Sequence, residues 1–98
     1  MESFKKILTS VLTVGKERIV AASLDVRNNQ RKVGRRHTLE IYNKSERIIF
    51  FGGQNLTPDS GIPILPGERR ILPVVENAEA VYLIAENETD VVIAEYCV

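Results

Sequence analysis

The sequence predicts an all-β fold, a small antiparallel β-sandwich or barrel of about seven strands with a short N-terminal helix or arm. Three observations predict it. In residues 36–42, His37, Leu39 and Ile41 alternate with Thr38, Glu40 and Tyr42, the period of a strand with one buried face. Turn chemistry recurs at short intervals, in Asn43-Lys44-Ser45-Glu46, Gly52-Gly53, Thr57-Pro58-Asp59-Ser60-Gly61, Leu65-Pro66-Gly67-Glu68 and Glu86-Asn87-Glu88-Thr89. The runs between these turns are short and rich in Ile, Val, Phe and Tyr, the residues that suit a pleated, half-buried surface.

Residues 3–13 open the chain with Phe4, Ile7, Leu8, Val11 and Leu12 at helical spacing. Thr9, Val11, Thr13 and Val14 are β-branched, so a strand over 9–14 competes with a helix of two or three turns. The expectation is an N-terminal arm or short helix over residues 1–14, passing into a single β-sandwich domain over 15–98. Residues 17–24 (ERIVAASL) read as a strand, and residues 25–34 (DVRNNQRKVG) as a long exposed loop.

Residues 36–42 and 47–51 flank polar turn residues and are expected to pair as a hairpin. Gly52-Gly53 should end the second of these strands in a bend, because glycine reaches backbone conformations closed to other residues. Residues 62–65 can form only a short edge segment, since Pro63 has no amide proton to donate. Pro66 and Gly67 occupy the two central positions of a type II turn, where proline presets the first φ and glycine accepts a positive one. Residues 69–75 then form a strand, and 80–85 with 90–96 a second hairpin. The expected core draws on Val20, Leu39, Ile41, Ile48, Phe50, Ile64, Ile71, Val81, Leu83, Val92 and Ile93, or on their alternating neighbours.

Length and composition bound the rest. A chain of 98 residues makes one domain and buries roughly two thirds of its unfolded surface. With 44% hydrophobic and 27% charged residues it is neither a disordered nor a fibrous composition. No run is long enough to span a membrane and no secretory leader is evident, so synthesis in a host cytoplasm is expected. The lone Cys97 forms no intramolecular disulfide, which suits a reducing compartment, and an inert thiol is expected. The triplets beginning at Asn43, Asn55 and Asn87 match the glycosylation pattern, but without a leader they read as turn residues.

The chemistry of an enzyme is missing. Nucleophilic catalysis needs a nucleophile, a base and an orienting group that converge, and one histidine with one cysteine leaves almost no room for it. His37 lies beside Arg35 and Arg36, whose charge disfavours its protonation. Glu86, Glu88 and Asp90 alternate without a calcium-loop glycine, and Cys and His are too few for a zinc site. No metal or cofactor is expected. Gly52-Gly53 lacks the lysine and helix start of a phosphate loop.

Net charge is zero, yet residues 1–38 hold nine basic and three acidic side chains, a net of +6, and residues 39–98 carry the opposing −6. Such asymmetry suits contact between neighbouring copies, or a basic arm facing an acidic partner. The basic loop has no interleaved aromatics, so direct nucleic-acid binding is not expected.

Residues 35–96 carry a resemblance. A basic residue enters Leu39-Glu40-Ile41-Tyr42-Asn43, then come a polar turn, an apolar strand ending at Gly52-Gly53, Asn55-Leu56-Thr57, Gly61-Ile62-Pro63-Ile64 and Pro66-Gly67-Glu68. The closing strands run Val81-Tyr82-Leu83-Ile84-Ala85 and Val91-Val92-Ile93-Ala94-Glu95-Tyr96. In order and spacing this is similar to small β-rich virion structural proteins of tailed bacteriophages, over nearly two thirds of the chain. The resemblance implies a compact β-sandwich in the virion, as a head decoration or fibre-base module or as a neck or tail component, and no enzymatic activity. Its partners would be other virion proteins, with a homo-oligomer or many copies per particle and no membrane. Physical reasoning alone nominates the contact residues: apolar Phe4, Ile7 and Val11 from the arm, and Arg27, Arg31, Lys32, Arg35 and Arg36 from the loop. The alternative is a small β binding module for cell-surface carbohydrate or single-stranded nucleic acid, which exposed Tyr42, Phe51 or Tyr82 clustered on one face would favour.

Overall fold

The computed structural model describes residues 6–22, 36–73 and 80–97. They form eight strands: β1 (Lys6–Val14), β2 (Ile19–Val20), β3 (Arg36–Tyr42), β4 (Ile49–Gly52), β5 (Ile62–Ile64), β6 (Arg69–Pro73), β7 (Tyr82–Ala85) and β8 (Thr89–Cys97). Two four-stranded antiparallel sheets result, the first ordered β1-β8-β3-β6 and the second β2-β7-β4-β5. The pairs β1·β8, β2·β7, β3·β6 and β4·β5 nest one inside the next, as in one long hairpin folded over on itself. That nesting over two sheets is the jelly-roll arrangement, and it confirms the expected all-β sandwich.

Three expectations are corrected. Over residues 6–13 the helix is replaced by β1, which pairs with β8 in unbroken register from Lys6↔Cys97 to Val14↔Thr89; residues 3–5 lie outside the described residues. An isolated helix of this length is marginal, whereas the strand is stabilised by a full partner and by burial of Leu12 and Val14. Neither expected hairpin forms, because β3 and β8 belong to the first sheet while β4 and β7 belong to the second. The turns at 43–48 and 86–88 carry the chain across the gap between sheets, so the strands on either side of each turn do not pair with each other. The phase of two strands also differs. Ile48 and Ile71, expected in the core, are exposed, while Ile49 lies opposite buried Ile64 and Ala85, and Leu72 opposite buried Leu39.

The core lies between the sheets. Leu12, Val14, Leu39, Ile41, Val91 and Ile93 from the first meet Ile49, Ile64, Leu83 and Ala85 from the second, with Ala21 beside them. Each fully buried aliphatic side chain contributes about 1.5–3 kcal/mol. Glu95 is also fully buried on the inner face, and it is partnered. On the outer side of the second sheet Leu56 fills a place left by missing side chains. A Cβ on Gly61 would lie 2.6 Å from the Phe50 Cβ and 2.8 Å from the Leu56 Cδ1.

Asn43 joins the two sheets. It follows β3, is fully buried, and its Nδ2 donates to the carbonyls of Arg47 at 2.7 Å and Ile64 at 2.8 Å. Its Oδ1 accepts from the Ser45 amide at 3.1 Å and from the Ser45 hydroxyl. Its own amide donates to the Glu68 carbonyl, and its carbonyl accepts from Gly67. The turn it grips is the expected type II turn: Gly67 has φ +83°, the Glu68 amide donates to the Leu65 carbonyl, and the Leu65 amide donates to the Glu68 carboxylate.

These contacts set two expectations for stability. Asn43→Ala leaves the buried Ile64 carbonyl without this donor and should lower unfolding free energy by about 1–3 kcal/mol, as read by denaturant titration. Asn43→Asp should fare no better, since a carboxylate offers that carbonyl no proton. Leu12→Ala should cost about 2–5 kcal/mol, as for any core leucine. A neutral Leu12 variant would mean that residues 6–14 are an appendage after all.

Candidate interaction surface

Residues directly opposite one another in an antiparallel pair share a face. Buried Leu12, Leu39, Ile41, Val91 and Ile93 fix the inner face of the first sheet. Its outer face therefore carries three cross-sheet rows: Ile7, Tyr96, Thr38, Pro73; then Thr9, Ala94, Glu40, Ile71; then Val11, Val92, Tyr42, Arg69. Eight of these twelve side chains are apolar or aromatic. A solvated outer face would normally be polar at alternate positions, so this face is a candidate interaction surface. Ile71 is 61% exposed, Val11 56% and Ile7 55%.

A polar chain crosses the middle of this face. The Tyr96 hydroxyl donates to the Glu40 carboxylate at 2.7 Å, the other Glu40 oxygen meets the Arg69 guanidinium at 3.4 Å, and that guanidinium lies 4.7 Å from the centre of the Tyr42 ring. Strands β8 and β6 thus supply one link each, and β3 supplies two. Cation–π contact and ion pairing hold the long Arg69 side chain in one place, which lowers the entropy lost when a partner packs against it. Tyrosine and arginine are also the side chains most often found as energetic anchors of protein interfaces.

The hydrogen bond to the Glu40 carboxylate raises the Tyr96 phenol above its ordinary value of 10.0; desolvation and the carboxylate charge add to the effect, and Arg69 opposes it. The phenol therefore remains a donor throughout the neutral range.

Of the nominated contact residues, Ile7 and Val11 stand on this face. Arg36 begins β3 with its backbone opposite Cys97. Phe4, Arg27, Arg31, Lys32 and Arg35 lie outside the described residues. The backbone of His37 falls in the irregularity between Arg36 and Thr38, adjoining Cys97. Sequence reasoning did not nominate Glu40, Arg69, Ile71 or Tyr96. The alternation that turned Leu39 and Ile41 inward was a signal for Glu40, but Arg69 and Tyr96 join it only through long-range register.

Tyr42, Phe51 and Tyr82 do not cluster. Tyr42 is on the outer face of the first sheet, Phe51 packs against the core, and Tyr82 pairs with Gly52 on the outer face of the second. A cleft of about 580 Å³ lies between the 15–18 and 86–88 turns, lined by Lys16, Glu17, Arg18, Glu86 and Glu88 among others. Its lining contains no histidine or cysteine. Among the described residues no cluster of three His, Cys, Asp or Glu could hold a metal ion, and no helix is long and apolar enough to cross a membrane.

The Tyr96 pair predicts a pH dependence. A phenol whose folded pKa is raised contributes stability that is fully present below pH 10.0 and is lost as pH rises through the raised value. Glu40→Gln should bring one of the three tyrosines back towards 10.0 in an ultraviolet titration and flatten the alkaline loss of stability. Unchanged titration of all three tyrosines in that variant would show that the pair does not form in solution.

No protein-family model, no curated protein and no solved structure matches this chain.

Proposed function

We propose that this chain is a non-enzymatic structural component of a bacteriophage virion, held by protein–protein contacts on the head as a decoration or at the neck or tail. The observation that carries the reading is the outer face of the first sheet, apolar around a fixed Tyr96–Glu40–Arg69–Tyr42 chain. Such a face is suited to another folded protein: it is broad and it holds aromatic and arginine anchors. The jelly roll adds modest support, since viral capsid proteins use it; lectin domains and cupins do too, so the architecture alone assigns no function. The resemblance of residues 35–96 to small tailed-phage structural proteins points the same way.

Every copy in a particle presents the same rigid face, so modest contacts multiplied by copy number give firm attachment. The runner-up, a carbohydrate or single-strand binding module, gains no specific support. Stacking sites need free aromatic faces close together, whereas the Tyr42 ring is occupied by Arg69 and Phe51 packs into the core.

Mass spectrometry of particles purified from the host that carries this coding sequence tests the proposal. The chain should co-purify with the particles in fixed stoichiometry. Ile71→Lys, at a site 61% exposed, should change stability by no more than about 0.5 kcal/mol yet leave the folded protein in the soluble fraction. A wild-type chain found only outside the particles would overturn the assignment.

A further inference from the structure

Four strands form the edges of the two sheets, and three of them are guarded. β2 is two residues long, β5 is three residues long and contains Pro63, and β6 carries Arg69, Arg70 and Pro73. Short length, proline and charge are the devices by which sheet edges avoid pairing with other chains. β1 has only the charge of Lys6, at its first position. It runs for nine residues, its register with β8 has no bulge, and from Ile7 to Val14 it contains neither a proline nor a charged side chain. Every second residue of an antiparallel edge strand turns its amide and carbonyl away from its partner, and among the described residues no strand pairs with that side of β1.

We infer that β1 is a self-association edge, and that two copies of this chain pair β1 against β1 antiparallel about a two-fold axis through Ser10. Full overlap of the nine-residue strand requires this register and no other. It sets the two Ser10 residues directly opposite each other at the axis. Leu8 then faces Leu12 of the second copy on the inner side, while on the outer side Ile7 faces Thr13 and Thr9 faces Val11, the β-branched pairs that suit cross-strand contact. About eight to ten main-chain hydrogen bonds form. The first sheets of the two copies become one eight-stranded sheet, and their outer faces become one continuous surface. The contact is isologous, so it closes at a dimer and does not propagate into a fibre. The inference does not depend on the virion assignment, because it concerns only the free edge.

Sedimentation of the full chain over a range of concentrations tests it, with charge placed on the exposed side of β1. The wild type should sediment as a dimer. The double variant T9K/V11K puts like charges directly across the axis twice and should weaken dimerisation about tenfold or more. T9K/V11E instead sets a lysine opposite a glutamate at both of those places and should restore it. Both variants alter positions exposed to solvent, and circular dichroism should report the same fold in each. A wild type that remains monomeric throughout, or a dimer indifferent to T9K/V11K, would overturn the inference. A dimer weakened equally by both variants would show that this register is wrong.

Discussion

The structure depends on the way Asn43 is satisfied. Its side chain has two donor protons and two acceptor lone pairs, and all four are used, along with its backbone amide and carbonyl. The partners come from the end of β5, from the 43–47 turn and from the Leu65–Glu68 turn. One fully buried residue thus fixes where the chain leaves the first sheet, where it enters the second and where it returns. In a sandwich the hydrophobic effect presses the sheets together but is indifferent to direction. The amide, which is costly to bury unless every bond is made, supplies the direction.

That corner also sets the outer face. β3 ends next to Asn43, so locking Asn43 fixes the register of β3 against β6 and β8. The register in turn aligns Glu40 with Tyr96 on one neighbour and Arg69 on the other. The Arg70 guanidinium donates to the Pro63 carbonyl at 2.9 Å, tying edge strand β6 to edge strand β5 and closing the open side of the sandwich. A surface held in this way loses little conformational entropy when it binds, which is the property an assembly component needs.

The two long strands of the first sheet have different tasks. β8 is central, flanked by β1 and β3, and gives Val91 and Ile93 to the core and Val92, Ala94 and Tyr96 to the outer face. β1 lies at the edge, with its inner side in the core and its outer side exposed. An apolar outer face and an unguarded edge meet along β1, on the side of the molecule away from the closed β5–β6 side.

Local features follow from the order of neighbouring residues. Alternation in 36–42, the type II turn at Pro66-Gly67 and the halt of β4 at Gly52 were legible because each depends on steric preferences of neighbouring residues. The grouping of Ile7 with Val11 survives the replacement of a helix by a strand. A separation of four is close to one helical turn and is also twice the strand period, so the two share a face in either conformation. The tertiary structure alone decided which strands pair. The same turn residues serve a hairpin and a crossing between sheets, and the choice rests on burying both apolar faces at once, a property of the whole chain. For that reason the phase of β6, with Leu72 inward and Ile71 outward, and the meeting of Glu40, Tyr96 and Arg69 were not legible. They depend on register between segments up to 56 positions apart, which no local pattern encodes.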